Sequence, residues 1–354
     1  MKKLFTWIVV VLVHLAVAKG TLVLATLSGG PAPLWPALGF GVASALLFGR
    51  ALTIPAVFLS AILTSLSIAV PVKAALTIAC GSSLETFAFA TLLLRVPASR
   101  SSGHEGLQQF LGYAVVAAVG ATIGATFGTF AMYRLARAPI IDWSASWSLW
   151  WAGDALGVLA VTPVVLSLAA AQRRSVGWLA KAAAFLAVVV LCTWFVFSRR
   201  LGASYLFGLL PLLLLAVSFF GALGSRIATL VICVVAVSGT QRGSGPFAGP
   251  LLVENFLHLQ IFLGAIVFSS HALVLLRREG SMRLPGMVLL FGWAAAGLLF
   301  HSLQKDGERF DAEHFDGLLA NAQHDIRQRM TAYEEGLRAG VALFAAHPRV
   351  DDEA

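Results

Sequence analysis

The stretch that decides the fold runs from Trp147 to Pro163 and reads WSLWWAGDALGVLAVTP. It begins with tryptophans, which settle at the membrane–water interface, and then becomes almost wholly apolar. The exception is Asp154. At about 1.5 Å per helical residue, Asp154 would lie on the order of 10 Å below the interface, where an uncompensated carboxylate costs several kcal/mol. The stretch therefore predicts a membrane-spanning helix in which Asp154 has either a partner or a function.

The same stretch carries a face of small side chains. Gly153 and Gly157 are four residues apart and Ala160 continues the face, so another helix can approach closely beside Asp154. Lys19, in the outer third of the first predicted span, would lie at a similar depth and could neutralise the carboxylate. A structural Lys19–Asp154 ion pair and a ligand or proton site are therefore both open for Asp154.

The composition indicates a polytopic membrane protein. Of the 354 residues 58% are hydrophobic and 12% are charged, which is too apolar for a soluble globule of this length. No basic face alternates with stacking aromatics, so the net charge of +8 does not predict a nucleic-acid partner. The three cysteines fall inside apolar runs and indicate small core residues, not disulfides or metal ligands.

The apolar runs predict an all-α bundle of about eleven transmembrane helices, with an amphipathic helix at the C-terminal end. The first run could also be a secretory signal, because Ala16–Val17–Ala18 resembles a cleavage site, but the apolar character resumes after it and favours a spanning helix. The runs cover approximately residues 4–27, 37–48, 52–70, 74–94, 107–130, 147–171, 178–197, 204–220, 227–238, 251–276 and 284–301.

The distribution of basic residues predicts the orientation. A cytoplasmic N-terminus puts twelve lysines and arginines of the first 301 residues inside and seven outside, in agreement with the positive-inside rule. An odd number of spans then places the following segment outside. We expect a bacterial inner-membrane protein with a membrane domain over residues 1–301 and a periplasmic segment over residues 302–354.

Two patterns predict helix packing. Gly120, Gly124 and Gly128 form a ladder of small residues in the fifth span, which joins helices of one chain or of two protomers. The C-terminal segment carries apolar residues spaced alternately four and three apart, which indicates either a dimeric coiled coil or a helix packed on its own domain. The seam consists of Phe315, Leu319, Ala322, Ile326, Met330, Tyr333, Leu337, Val341 and Phe344.

Polar residues inside the spans are the other candidates for a site. Glu85 lies near the middle of the fourth span and is either protonated and hydrogen-bonded to another helix or faces water. Glu254 and His258 are one turn apart at the outer end of the tenth span. They follow a glycine-rich turn, residues 243–247, that lacks the lysine of a phosphate loop and is better interpreted as a backbone turn.

No enzymatic or cofactor site is predicted. The chain lacks a nucleophile–base–acid pattern, a nucleotide-binding glycine motif and zinc-ligand spacing. Histidines on facing helices could hold a haem, but the sequence cannot pair them and buried, hydrogen-bonded histidines are the favoured interpretation. Those in or beside the spans are His14, His258, His271 and His301.

Five motifs occur in order along the chain: Leu34-Trp35-Pro36 with Gly39 and Gly41; Leu84-Glu85; Trp150-Trp151-Ala-Gly153-Asp154-Ala-Leu-Gly157 with Thr162-Pro163; Gly243-Ser-Gly245-Pro246-Phe247; and Leu259-Gln260. Together they resemble the first type of membrane-associated sensor domain, the MASE family, over about residues 4–280. Residues 310–350 are similar to the start of a CHASE extracytoplasmic sensor domain, and the chain ends before that domain is complete.

The resemblance implies a sensory input module that feeds a histidine kinase or a cyclic-di-GMP enzyme, with the output domain absent from this chain. We expect its partners to be the lipid bilayer, a small-molecule signal and a second copy joined through the C-terminal helix. Candidate ligand-binding or signalling residues are Lys19, Trp35, Glu85, Trp151, Asp154, Glu254, His258 and Gln260. Structural motif residues are Pro36, Gly39, Gly120, Gly124, Gly128, Gly153, Gly157, Pro163, Gly245, Pro246 and Phe247.

A small-solute transporter is the alternative. The segments over residues 28–41 and 238–250 are interrupted by glycine and proline, as transporter sites often are. The two halves of the chain show no convincing repeat, which favours the sensor.

Overall fold

A computed structural model describes residues 1–25, 32–95, 105–136, 142–198, 203–249, 252–279, 319, 321–343 and 345–346. The described residues form helices, turns and short connections without strands, as the all-α prediction requires. The chain divides into two compact units, residues 1–296 and residues 297–354.

Nine α-helices make up the described part of the first unit. Seven of them are long and apolar enough to cross a membrane, whereas α2 and α3 are shorter apolar helices. The bounds are α1 Lys2–Ala25, α2 Pro36–Phe48, α3 Arg50–Leu66, α4 Val72–Leu93, α5 Glu105–Phe130, α6 Trp143–Ala169, α7 Val176–Phe197, α8 Leu210–Gln241 and α9 Leu252–Glu279. A π-helical turn, Ala131–Leu135, extends α5, and a 3-10 helix, Ala203–Leu209, precedes α8.

The predicted count of about eleven spans is not confirmed. The runs over residues 204–220 and 227–238, predicted as two spans, belong mainly to α8, which is kinked where Gly221 takes a φ of +71°. Glycine adopts this conformation without the penalty that a side chain would bring, so two helical segments join at this residue with a kink. The eleventh predicted span, residues 284–301, lies outside the described residues.

Local signals in the sequence account for several helix starts. Pro36 opens α2, where its missing N–H costs nothing. The side chain of Asp142 caps α6 by accepting from the backbone N–H of Ala145 at 3.0 Å, and Ser175 caps α7 in the same way. Hydrogen bonds from the Ser144 hydroxyl and from the Ala145 backbone lower the pKa of Asp142.

Helix α6, which contains the stretch from Trp147 to Pro163, is the most enclosed candidate span. In its most apolar window 67% of the residues are buried, against 61% in α9 and 17% in α7. It packs against α2, α5, α8 and α9. The sparsely buried α7 exposes Leu191 and Trp194, apolar side chains of the kind that face lipid.

In the second unit, residues 321–343 are helical. The described seam residues Ile326, Met330, Tyr333, Leu337 and Val341 are between 62% and 72% exposed. The predicted amphipathic helix is therefore present, with these apolar side chains uncovered. Most of the CHASE-like stretch before it, together with the predicted seam residues Phe315 and Phe344, lies outside the described residues.

Candidate functional site

Two buried carboxyl groups from different helices meet at a glycine. Glu85 of α4 and Asp154 of α6 are each 2% exposed. A Cβ built on Gly124 of α5 would lie 2.1 Å from Oε2 of Glu85 and 2.7 Å from Oδ2 of Asp154. The two oxygens are therefore no further apart than the sum of these distances, 4.8 Å. The site is a carboxyl pair pressed against the backbone of α5.

The glycine ladder of α5 forms the floor of this site. A Cβ at Gly120 would lie 2.7 Å from the ring of Phe89, and one at Gly128 would overlap the indole of Trp150. The ladder thus receives two large aromatic side chains at its ends and the two carboxyl groups at its centre. In this structure it packs inside the chain, against α4 and α6.

The carboxyl pair is incompletely hydrogen-bonded. Trp150, one turn before Asp154 on α6, provides a side-chain hydrogen bond to that carboxyl group. Oε1 of Glu85 and Oδ2 of Asp154 are buried and have no hydrogen-bond partner among the described residues. A buried acceptor without a partner costs about 1–3 kcal/mol, and more if it is charged, so the pair is a site that a ligand could complete.

The predicted ion pair between Lys19 and Asp154 does not form in this structure. Lys19 is exposed on α1, which packs mainly against α2 and α3, whereas Asp154 is buried beside α5. The neighbour of Asp154 is the carboxyl group of Glu85, so two acidic side chains meet where an acid and a base were expected.

The non-helical segment before α2 packs against the small residues of α6. The backbone N–H of Trp35 donates to the carbonyl oxygen of Gly153 at 3.0 Å. A Cβ on Gly157 would overlap the carbonyl oxygen of Trp35, and one on Gly39 would overlap that of Gly157. The hydroxyl of Thr162 also donates to the Gly39 carbonyl at 2.9 Å. The glycines of the Trp-Trp-Ala-Gly-Asp stretch are thus explained by contact between backbones.

Two further candidates fasten α6 to its neighbours. The amide Nε2 of Gln260, on α9, donates to the carbonyl oxygens of Leu149 at 2.7 Å and of Pro33 at 3.3 Å. The indole of Trp151 donates to the carbonyl oxygen of Ala118 on α5 at 2.7 Å. Gln260 and Trp151 therefore hold backbone positions together around α6.

The other predicted site residues lie on α9 or in the turn before it. Glu254 is exposed and His258 half-buried, both on α9. The turn with Gly245 and Pro246 places Phe247 against the rings of Phe197 and Phe262, with ring centres 6.0 Å and 5.6 Å away. This supports the interpretation of residues 243–247 as a backbone turn.

Sequence reasoning missed two polar contacts and did not name the partner of His14. The phenol of Tyr113 donates to the carbonyl oxygen of Val158 at 2.6 Å, and Arg226 donates to the hydroxyl of Ser167. His14 shares a hydrogen bond of 2.7 Å with the hydroxyl of Ser60. Tyr113 and Arg226 bond on either side of Pro163, whose missing N–H leaves α6 with a free carbonyl in that turn. The partners lie on different helices, so no spacing in the sequence pairs them.

No group of three or more His, Cys, Asp and Glu side chains that could hold a metal ion is found within the residues that the structure describes. His271 bonds through Nδ1 to the carbonyl of Val267 on its own helix, and His14 bonds to α3. Both contacts fit the structural interpretation of these histidines. His301 lies outside the described residues.

A comparison with family models matches residues 6–281 to MASE1. The match begins within α1, covers α2 to α9 and ends two residues after α9. Searches of curated proteins and of solved structures found no match.

Proposed function

This chain belongs to the MASE1 family of membrane-associated sensor domains of signalling proteins, and on that basis we propose that it is the sensory input module of a bacterial histidine kinase or cyclic-di-GMP enzyme. The observation that supports this function most is the convergence of buried polar contacts on α6. Glu85, Trp35 and Gln260 lie on three other segments of the chain, and each meets α6 or a side chain of it.

Such an arrangement suits detection better than catalysis. A ligand shifts a conformational equilibrium only through a difference in its affinity for the two states. The buried carboxyl pair lies where α4, α5 and α6 meet closely. A ligand bound to this pair changes the forces between the three helices, so its affinity differs between their arrangements. MASE1 is a sensory domain, which fits a module without chemistry of its own.

The signal would leave the bundle through α9. Gln260 of α9 is bonded to the backbone of α6 and to the segment before α2, so a displacement of α6 is carried to α9. Helix α9 is the last described helix of the membrane unit and leads into residues 280–318. We propose that its movement reaches the C-terminal helix and then an output domain.

We also propose that the C-terminal helix joins two copies of the chain. Its apolar seam is exposed over residues 326–341, and the four–three spacing suits a coiled coil in a homodimer. In the same proposal this segment is the start of a periplasmic CHASE-like domain, and the N-terminus is cytoplasmic in the bacterial inner membrane.

A small-solute transporter is the second candidate. It is favoured by the non-helical segment over residues 32–35, which lies against Gly153 and Gly157, and by the kink of α8 at Gly221. Against it, the space beside these α6 glycines is already filled by protein backbone.

A chimera tests the sensor. Residues 1–354 are joined through one further spanning helix to the cytoplasmic part of a histidine kinase of known activity, and autophosphorylation is measured in membranes. We expect Gly124→Ala, which alters the packing of α5 against α4 and α6, to change the activity, and Gly264→Ala, at a site with room for a methyl group, to leave it unchanged. Equal activities of both variants and the parent chimera would contradict the sensor. Counterflow of labelled solutes in proteoliposomes would support the transporter instead.

A further inference from the structure

We propose that Glu85 and Asp154 together form a proton-binding site, in which a carboxylic acid and a carboxylate share one proton and thereby hold α4 and α6 together against Gly124 of α5. The signalling consequence of this site rests on the proposed sensory function, but the proton site itself does not.

Depth is the first reason for a proton. At about 1.5 Å per residue, Glu85 lies about 20 Å from the first residue of α4 and Asp154 about 16 Å from that of α6. Both groups are therefore well inside their candidate spans, where isolated charges are expensive. Two carboxylates at most 4.8 Å apart would add mutual repulsion to that cost.

Packing is the second reason. A Cβ on Gly124 would collide with both carboxyl groups, so there is no room at this point for even one further carbon atom. An organic solute cannot enter between the pair and α5 without moving helices. A proton occupies no such volume, removes one negative charge and turns one oxygen into a hydrogen-bond donor.

The third reason is that two buried carboxyl oxygens lack a hydrogen-bond partner among the described residues. Oε1 of Glu85 and Oδ2 of Asp154 are buried acceptors without a hydrogen bond among the described residues. A divalent cation such as Ca²⁺ needs six to eight oxygen ligands, and no third His, Cys, Asp or Glu joins the pair within the residues that the structure describes. A single proton suits the two-carboxyl set better.

The charged and titratable side chains on the packed elements are engaged elsewhere or exposed. Arg50 of α3 bonds to Thr91 and lies over the ring of Phe87. On other elements packed against α4 or α6, Tyr113 bonds to Val158, Arg226 to Ser167, His271 to Val267 and Arg277 to Ser218. Tyr133, Arg134 and Glu254 are exposed, and His258 is half-buried. No ion pair to Glu85 or Asp154 is found among the described side chains.

Loss of the proton would therefore act directly on helix packing. The released proton passes to water, and the two carboxylates that remain repel each other across the α4–α6 contact. Within the proposed sensor, the proton occupancy of the pair would set the position of α6, and through Gln260 that of α9.

Infrared spectroscopy of the whole chain in lipid bilayers tests this site. The C=O stretching band of a protonated carboxyl group is recorded at neutral pH in light and heavy water, for the wild type and for Glu85→Gln, Asp154→Asn and the double variant. Glu254→Gln removes an exposed carboxyl group of α9 and is the matched control. Each sample is also measured with Na⁺, K⁺ or Ca²⁺ in place of choline at constant ionic strength.

We expect a protonated carboxyl band in the wild type and its loss in the double variant. Each single variant should shift or weaken the band, whereas Glu254→Gln and the added cations should leave it unchanged. The absence of the band from the wild type at neutral pH, its persistence in the double variant, or its loss on adding a cation would overturn the proposal. If a variant does not fold, the wild-type spectrum still tests the proposal by itself. None of these measurements depends on kinase activity.

Discussion

Replacing Gly124 by alanine places one methyl group at the centre of the carboxyl site. The new Cβ would lie 2.1 Å from Oε2 of Glu85 and 2.7 Å from Oδ2 of Asp154, both closer than real Cβ contacts. Overpacking a tight interior costs about 1–3 kcal/mol, while alanine in a helix gains up to about 1 kcal/mol over glycine. Subtracting a full helix-propensity gain of about 1 kcal/mol, we expect Gly124→Ala to lower the free energy of unfolding by about 0–2 kcal/mol.

The control for this change is Gly264→Ala in the middle of α9. The nearest atom to its new Cβ is Cδ2 of Leu156 at 3.9 Å, which is ordinary van der Waals contact. The same gain in helix propensity applies there without the collision, so Gly264→Ala should leave stability unchanged or raise it by up to about 1 kcal/mol. The difference between the two variants isolates the cost of crowding the carboxyl pair.

A double-mutant cycle with Glu85→Ala identifies the group that is crowded. Shortening Glu85 removes the nearer of the two collisions, so Gly124→Ala should cost at least about 1 kcal/mol less in that background. Unfolding in detergent by titration with a denaturing surfactant, with helicity as the signal, gives the four stabilities. Equal stabilities of Gly124→Ala and Gly264→Ala, or strictly additive effects in the cycle, would refute the contact at Gly124.

Three other expectations concern single residues and the orientation of the chain. Lys19→Ala should change the unfolding free energy by less than about 0.5 kcal/mol in the same assay, because Lys19 is exposed and forms no ion pair with Asp154. A loss of several kcal/mol would show that the predicted ion pair forms. Gln260→Leu should destabilise by about 1–3 kcal/mol, since the carbonyl oxygens of Leu149 and Pro33 lose their donor, and an unchanged melting curve would show that these bonds are not made. Alkaline phosphatase fused after Gly103 or Arg174 should be inactive, because both positions are predicted to be cytoplasmic, and fused after Gly307 it should be active; activity at Gly103 or Arg174 would reverse the orientation.

The sequence predicted the helical class and most of the residues that meet around α6. Asp154 stood out because its neighbours are apolar, and the small residues at 153 and 157 indicated a close approach. In the structure, the backbone of residues 32–39 packs against this face of α6, including the non-helical segment before α2. A periodic pattern can show that one face is smooth, but it does not identify the segment that covers it.

The partner of Asp154 could not be predicted from the sequence. Lys19 was predicted as the partner from its depth and charge, which follow from its position along the chain. Contact between side chains depends instead on which helices are neighbours. Glu85 is a second acid inside a predicted span, yet no sequence pattern brings the two acids together. Gly124 was predicted as a packing residue, but a glycine at the centre of a ladder leaves room for polar side chains as readily as for another helix.

The kinase output of the chimera described above is the most direct test of a sensor built around this pair. Autophosphorylation is compared in the same membranes for the parent chimera, Asp154→Asn and the control Glu254→Gln, with insertion and thermal stability measured alongside. We expect Asp154→Asn to insert and melt like the parent while its kinase activity changes, and Glu254→Gln to match the parent in all three properties. Parental kinase activity in Asp154→Asn would contradict a sensory role for the carboxyl pair.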